Sequence, residues 1–166
     1  MTLQGKAFLF DDDISTDHIA PGRYFHLRSN LPELAKHVLE DADDTFASSV
    51  SEGDFVIAGK NFGLGSSREH APVIIKLAGV GAVLAKSFAR IFFRNAVNVG
   101  LPVLICDTEH ISAGDELTID LETGVVKDIT NGKEITFTPL PKSMLNILDD
   151  GGLVTHVKKH GGFKLD

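Results

Sequence analysis

Apolar and polar positions follow two rhythms along this chain. In the first two thirds, short apolar runs alternate with helix-period segments. Gly5 to Phe10 predicts a strand, closed by the acidic turn Asp11-Asp12-Asp13. A polar loop follows, ISTDHIAPGRYFHLRSN. In LPELAKHVLEDAD, Leu31, Leu34, Ala35, Val38, Leu39 and Ala42 recur at i, i+3, i+4, i+7 spacing, which predicts an amphipathic helix with Pro32 in its first turn. Asp54 to Ala58 predicts a short strand. A glycine-rich loop, GKNFGLGSS, leads into a helix over roughly Arg68 to Ala78, stopped at Gly79. Val80 to Ala85 reads as a buried strand. Ser87 is placed to cap a helix over FARIFFRNAVNV that closes at Gly100, and Pro102 to Cys106 predicts another strand.

Strand–helix–strand crossovers of this length imply a partly parallel sheet with helices packed on it. From Asp107 the period changes to two. Leu117 to Leu121, Gly124 to Ile129 and Glu134 to Phe137 alternate apolar and polar residues, and Asn131-Gly132 is a hairpin signal. The prediction is an α/β chain with a mixed, partly parallel sheet and a C-terminal β-hairpin region. A last helix is expected over roughly Lys142 to Leu148, ending at Gly151-Gly152. The tail, about residues 157–166, is expected to be mobile or used in a contact. No internal repeat breaks the chain, so 1–166 is expected to act as one domain.

Composition narrows the function classes. The chain has 166 residues, 43% hydrophobic and 23% charged, which is ordinary globular usage. Its net charge of −7 lacks the basic footprint of a nucleic-acid binder and suits an anionic membrane poorly. No apolar run approaches the roughly 20 residues of a membrane span, and no secretory signal is read at the N-terminus. One cysteine, Cys106, excludes an internal disulfide and a cysteine-rich metal site, and a reducing cytoplasm fits. The seven histidines, His18, His26, His37, His70, His110, His156 and His160, are read as scattered, without a helical H-x-x-x-H pair, so no metal site is expected in this chain.

The segment GKNFGLGSSREHAP carries the most chemistry. Gly59, Gly63 and Gly65 let backbone approach a ligand, and Ser66, Ser67 and Arg68 are expected at a helix N-terminus, where unpaired N–H groups and the dipole favour an anion. Arg68 has the fork geometry to grip a carboxylate. Ser66 to Glu69 equally matches a capping box, a purely structural role. Walker, dinucleotide and nucleophile-elbow patterns do not fit. In the second polar segment, Asp17 and His18 are candidates beside a turn-forming alternative, and Arg23 and Arg28 beside a solvated one. Arg90 and Arg94 read as an outer stripe on an apolar helix, and Cys106 as core.

Taken together, STDHIAPG, GKNFGLGSSREHAP and AKSFARIFFRNAVNVGLP resemble the small subunits of 3-isopropylmalate dehydratase. They are also similar to the C-terminal domain of aconitase and the small subunit of homoaconitase. The resemblance runs from Gly5 to about Gly152. It implies a swivelling β/β/α domain and half of a hydro-lyase active site. It further implies a [4Fe–4S] cluster held by a large partner subunit and a small 2-hydroxy di- or tricarboxylate as substrate. By the same resemblance, Ser66 matches the base that takes the substrate's α-proton. Ser67, Arg68 and Gly65 match carboxylate-binding positions, and Asp17 and His18 the supporting element. Arg28, with Phe25 and Leu27, lies in the loop that sets substrate choice. Phe25 and Leu27 favour an apolar branch and Arg28 a carboxylate. Isopropylmalate is the first expectation, with homocitrate-type or 2,3-dimethylmalate substrates as alternatives. A non-catalytic carboxylate-binding module is the alternative from another class.

Overall fold

The computed structural model describes residues 1–162. Strands β1 (Thr2–Leu9), β2 (Phe55–Ile57), β3 (Ala82–Ala85) and β4 (Val103–Ile105) run parallel. Leu9 pairs with Ile57, Ile57 with Leu84, and Leu84 with Leu104, so the four strands end almost level. On the other edge of β1, strands β5 (Glu116–Asp120), β6 (Val125–Asp128) and β7 (Lys133–Thr136) form an antiparallel meander. The sheet order is β4-β3-β2-β1-β5-β6-β7. It curls until its ends meet: Cys106 bridges Phe137, and the Thr138 N–H donates to the Ile105 carbonyl at 3.0 Å.

Strand periodicity divides the core into two layers. Val56, Ala58, Val83 and Ala85 face the helices, whereas Phe55, Ile57, Ala82 and Leu84 face the meander's Leu117, Ile119 and Val126. Both faces of β2 and β3 and most of β4 are therefore buried, which explains their uninterrupted apolar sequences. The layers are meander, parallel sheet and helices, the β/β/α arrangement expected. The helices are α1 (Thr16–Ile19), α2 (Leu31–Ala35), α3 (Phe46–Ser49), α4 (His70–Leu77), α5 (Arg90–Asn98), α6 (Lys142–Asp149) and α7 (Leu153–His160), with a 3-10 helix over Gly22–Leu27.

Two helix expectations need correction. The helix expected through Asp43 stops at Ala35, because Leu39 takes φ 56° and its N–H donates to the Ile19 carbonyl at 3.0 Å. Its apolar stripe is still buried, since Leu34, Val38 and Leu39 are almost wholly enclosed, but through turns rather than a continuing helix. The polar loop after Ile14 contains α1 and the 3-10 helix. The tail is helical as far as His160, while residues 163–166 of the expected mobile stretch lie outside the described residues.

One buried acid pair yields a stability prediction. Asp128 and Asp115 are both buried, and Asp128 Oδ2 has no hydrogen-bond partner. Burial, then the Asp115 carboxyl, pushes the Asp128 carboxyl above its ordinary value of 3.8. The folded chain therefore holds a proton that the unfolded chain releases. That stabilisation is complete below the ordinary carboxylate range and is lost as pH rises through the raised value. Asp128→Asn keeps a donor there at every pH. It should add about 1 kcal/mol near pH 8 and less near pH 5, read by urea unfolding at both.

Candidate active site

The loops that leave the carboxyl ends of the parallel strands converge at one edge of the sheet, the usual place for a ligand in such folds. Two of them are stitched together directly. The loop after β1 and the glycine-rich loop after β2 form a short parallel bridge at Ser15 and Leu64. The Gly63 N–H donates to the Ile14 carbonyl (2.7 Å), and the Thr16 N–H to the Leu64 carbonyl (2.8 Å). Thr16 Oγ1 then donates to the Ser66 carbonyl at 2.9 Å. Threonine, buried at 4% exposure, thus fixes the backbone that presents the Ser66 hydroxyl.

Close approach explains the glycines here. Gly63 has φ 84°, and a Cβ on it would lie 2.2 Å from Cγ of Phe92 on α5. Gly65 has φ 103° and sits against Thr16, where a Cβ would meet Oγ1 at 3.3 Å. Both positions demand the left-handed region that glycine enters without strain.

Arg68 gathers the site. Its Nη1 donates to the Ala20 carbonyl at 2.5 Å, its Nη2 pairs with Asp17, and its Nε donates to Ser66 Oγ at 3.4 Å. The guanidinium side chain is 21% exposed while Asp17 is 67% exposed, so the arginine is held from behind by the β1 loop and α1. Ser66 and Ser67 face solvent. His70, at the first turn of α4, is kept below the usual imidazole range by burial and then by the charge of Arg68, and so is neutral near pH 7. Arg68, not His70, therefore supplies positive charge in contact with Ser66.

Two details differ from the sequence expectation. Helix α4 begins at His70, with Glu69 as its N-cap and no side-chain cap, so Ser66, Ser67 and Arg68 lie in the loop before it and the Ser66–Glu69 capping box does not form. The helix dipole fades within a turn and adds little at Ser66. A capping box does form elsewhere. Ser15 Oγ accepts from the His18 N–H (3.2 Å), and the Ser15 N–H donates to His18 Nδ1 (2.9 Å). Likewise Ser87 does not cap α5; its Oγ accepts from the Asn61 N–H at 2.8 Å and ties the β3 loop to the glycine-rich one.

The cavity that holds Ser66, Ser67 and Arg68 has a volume of about 220 Å³ and is closed by Thr16, Gly65, Ala89, Arg90, Ile91 and Asn95. Arg90, read from the sequence as part of an outer stripe, is thus a second cation at this cavity, placed there by the turn into α5. A larger cleft of about 780 Å³ lies beside it, where His18 joins Asp11, Asp12, Asp41 and Glu109 against Lys86. Four carboxylates suit an anionic substrate poorly, so the smaller, arginine-lined cavity is the candidate site. His18 accordingly lines the acidic cleft, whereas Asp17 pairs with Arg68.

Arg28, Phe25 and Leu27 sit on or next to the 3-10 helix and do not line the Ser66 cavity. Arg28 folds back, with Nη1 donating to the Phe25 carbonyl at 3.2 Å and Cζ 4.2 Å above the Phe25 ring. Phe25 is 53% exposed, and Leu27 packs against the core. The 3-10 helix is anchored by Tyr24, which stacks on His37 at 3.7 Å and donates to Glu40 at 3.1 Å. Cys106 is buried and free, its thiol pushed up to about 12 by burial and then by Asp107, so it behaves as core.

A family model described as the aconitase C-terminal domain matches residues 22–109. The 3-isopropylmalate dehydratase small subunit 2 of Archaeoglobus fulgidus is 64% identical over 99% of this chain and 100% of its own length. The chain belongs to the 3-isopropylmalate dehydratase small-subunit family. A second member, the small subunit 1 of Thermotoga maritima, is 64% identical over 97% of this chain and 98% of its own length. The crystal structure of a 3-isopropylmalate dehydratase from Methanocaldococcus jannaschii superposes with a TM-score of 0.93 at 44% identity, covering 97% of this chain and 96% of that one. This member of the small-subunit family therefore keeps the family fold over its described length. No helix among its described residues is long and apolar enough to cross a membrane.

Sequence reasoning missed three features of this small subunit. Thr16 lay inside the quoted Thr-Asp-His element but was not singled out. Arg90 needed the tertiary approach of two loops. The third is a histidine pair: His156 and His160 are four residues apart, on one side of α7, which overturns the reading that no H-x-x-x-H pair exists. The spacing is visible in the sequence, but the helix that puts both rings on one side is not.

Proposed function

We propose that this chain acts, as one swivel domain, as the small subunit of a cytoplasmic two-subunit hydro-lyase that converts 2-isopropylmalate to 3-isopropylmalate by removing and re-adding water, a step of leucine biosynthesis. The observation that carries this reading is the contact of Arg68 with Ser66 Oγ, backed by Asp17 and the Ala20 carbonyl. It supports the following division of labour. Deprotonated Ser66 Oγ takes the proton from the carbon beside a substrate carboxylate. Arg68 lowers the cost of that oxyanion and of the charge that develops on the substrate. Ser67, Gly65 and Arg68 receive a carboxylate, and Asp17 keeps the guanidinium aimed at Ser66. The electron pair of the broken C–H bond forms the carbon–carbon double bond as hydroxide leaves the neighbouring carbon toward the large subunit, whose cluster would accept it, and on re-addition of hydroxide the Ser66 hydroxyl returns its proton to carbon.

Aconitase-family membership suggests a [4Fe–4S] cluster in the enzyme. The residues of this chain do not fit one, because clusters of that type need several thiolates and Cys106 is the only cysteine, buried and firmly protonated. We assign the cluster to the large subunit. A partner is also needed on physical grounds, since Ser66 faces water here and Arg68 stabilises an oxyanion far better once water is excluded.

The test is reconstitution with a cluster-bearing large subunit. Turnover of 2-isopropylmalate is expected from the pair and not from this chain alone. Activity of the isolated chain would refute the division of labour, and tight dicarboxylate binding without a partner would favour a non-catalytic binding module. A second reading, a homocitrate-type tricarboxylate substrate, rests on Arg28, whose charge lies over the exposed Phe25 ring. In the same assay, Arg28→Leu should leave isopropylmalate turnover within about threefold if the first reading holds, since a rim cation contributes little to an apolar branch. A hundredfold loss confined to a tricarboxylate would establish the second.

A further inference from the structure

Helix α6 ends at Asp149, and Asp150, its C-cap, is followed by the Gly151-Gly152 turn that sends α7 back. The turn is packed on the end of α5, opposite the catalytic cavity. Lys76 Nζ donates to the Val99 carbonyl (2.9 Å) and the Gly151 carbonyl (3.2 Å). Within this hairpin, His156 Nδ1 and His160 Nε2 both point at one carboxylate oxygen, Asp150 Oδ2, at 2.7 and 2.8 Å. The three ligand atoms lie within 4.8 Å of one another, and among the described residues no other group of three His, Cys, Asp or Glu side chains does so. The His156 ring is fully enclosed and Asp150 is 7% exposed, while His160, at 23%, leaves an entry path.

The geometry points to a zinc site formed by Asp150, His156 and His160, with water as the fourth ligand. Two histidines at i and i+4 present their rings to one ion from a single helix face, and a monodentate carboxylate from the preceding turn completes three ligands. Zinc bonds of about 2.0–2.1 Å place tetrahedral ligand atoms roughly 3.3–3.5 Å apart. The two nitrogen–oxygen spacings of 2.7 and 2.8 Å would open by about 0.6 Å, and the nitrogen–nitrogen spacing, within 4.8 Å, would settle into the same range by side-chain rotation. The other carboxylate oxygen, Oδ1, is held by Lys159 Nζ at 2.9 Å, which fixes the carboxylate's orientation as an outer hydrogen bond does at known zinc centres. Two imidazoles with one carboxylate favour zinc over calcium or magnesium. The ion would clasp α7 to α6 and has no part in the proton transfer at Ser66.

The experiment uses the full-length, tag-free chain, stripped with a chelator and titrated with zinc. One equivalent is expected to stay bound through gel filtration and to raise Tm. His160→Gln, a change at the partly exposed ligand, should weaken zinc binding by at least about 100-fold and abolish the rise in Tm. Cobalt(II) in the unaltered chain should give the intense visible bands of a tetrahedral site without a thiolate charge-transfer band, which keeps the test informative should the variant fold poorly. No retained zinc, equal zinc affinity in His160→Gln, a weak octahedral cobalt spectrum, or a thiolate band placing the ion on Cys106 would each overturn the proposal.

Discussion

Ser66→Ala in the reconstituted two-subunit enzyme is expected to lower kcat by about 10³-fold or more, the loss that follows when a positioned base is removed. The fold should not notice. Ser66 faces solvent, its carbonyl keeps the Thr16 bond, and its hydroxyl receives only the long Arg68 Nε contact. Stability should therefore change by less than about 0.5 kcal/mol. KM should move little, because Ser67, Gly65 and Arg68 remain to receive the carboxylate. Steady-state kinetics and thermal unfolding on the same preparation check both halves. A variant that keeps kcat within tenfold would remove Ser66 as the base.

The largest structural effect is expected at Gly63. Alanine there must hold φ near 84° and put its Cβ 2.2 Å from Cγ of Phe92. Left-handed backbone costs a β-carbon about 1–2 kcal/mol, and overpacking a tight contact typically adds 1–3. Gly63→Ala should cost about 2–5 kcal/mol and lower Tm by roughly 5–15 °C for a chain of this size. It should also depress kcat by about 100-fold below the melting range, because Gly63 bonds to Ile14 and leads directly to Gly65 and Ser66. Gly132→Ala serves as the control. It has φ 75° but nothing within 4 Å of its Cβ, so only the backbone term applies and activity is unaffected. Equal destabilisation of the two variants would mean that Phe92 yields without cost.

Much of this arrangement can be read from the chain before folding. Strand period is local, so the buried runs at Phe55–Ile57, Ala82–Ala85 and Val103–Ile105, and the alternating ones at Glu116–Asp120 and Val125–Asp128, declare themselves. Helix ends are less legible. Periodicity carries a helix through Val38 and Leu39, yet Leu39 turns left-handed because the Ile19 carbonyl, twenty residues away, takes its N–H. The same applies to capping. Ser66 and Glu69 have the right spacing, but Thr16 and Arg68 engage the Ser66 backbone and hydroxyl, and the helix starts later. A tertiary hydrogen bond outweighs a cap preference of about 1 kcal/mol when both compete for one group.

The sequence by itself determined a mixed, partly parallel α/β sheet with packed helices, the glycine-serine-arginine loop as the candidate site and, through a single cysteine, the inability to house an iron–sulfur cluster. These follow from residue type and short-range period. Tertiary structure decided which cations surround Ser66, that Asp17 rather than His18 backs Arg68, and that two histidines of α7 meet Asp150. Each of those is a meeting of side chains from separate segments, settled only when burial of the intervening core brings the loops into register.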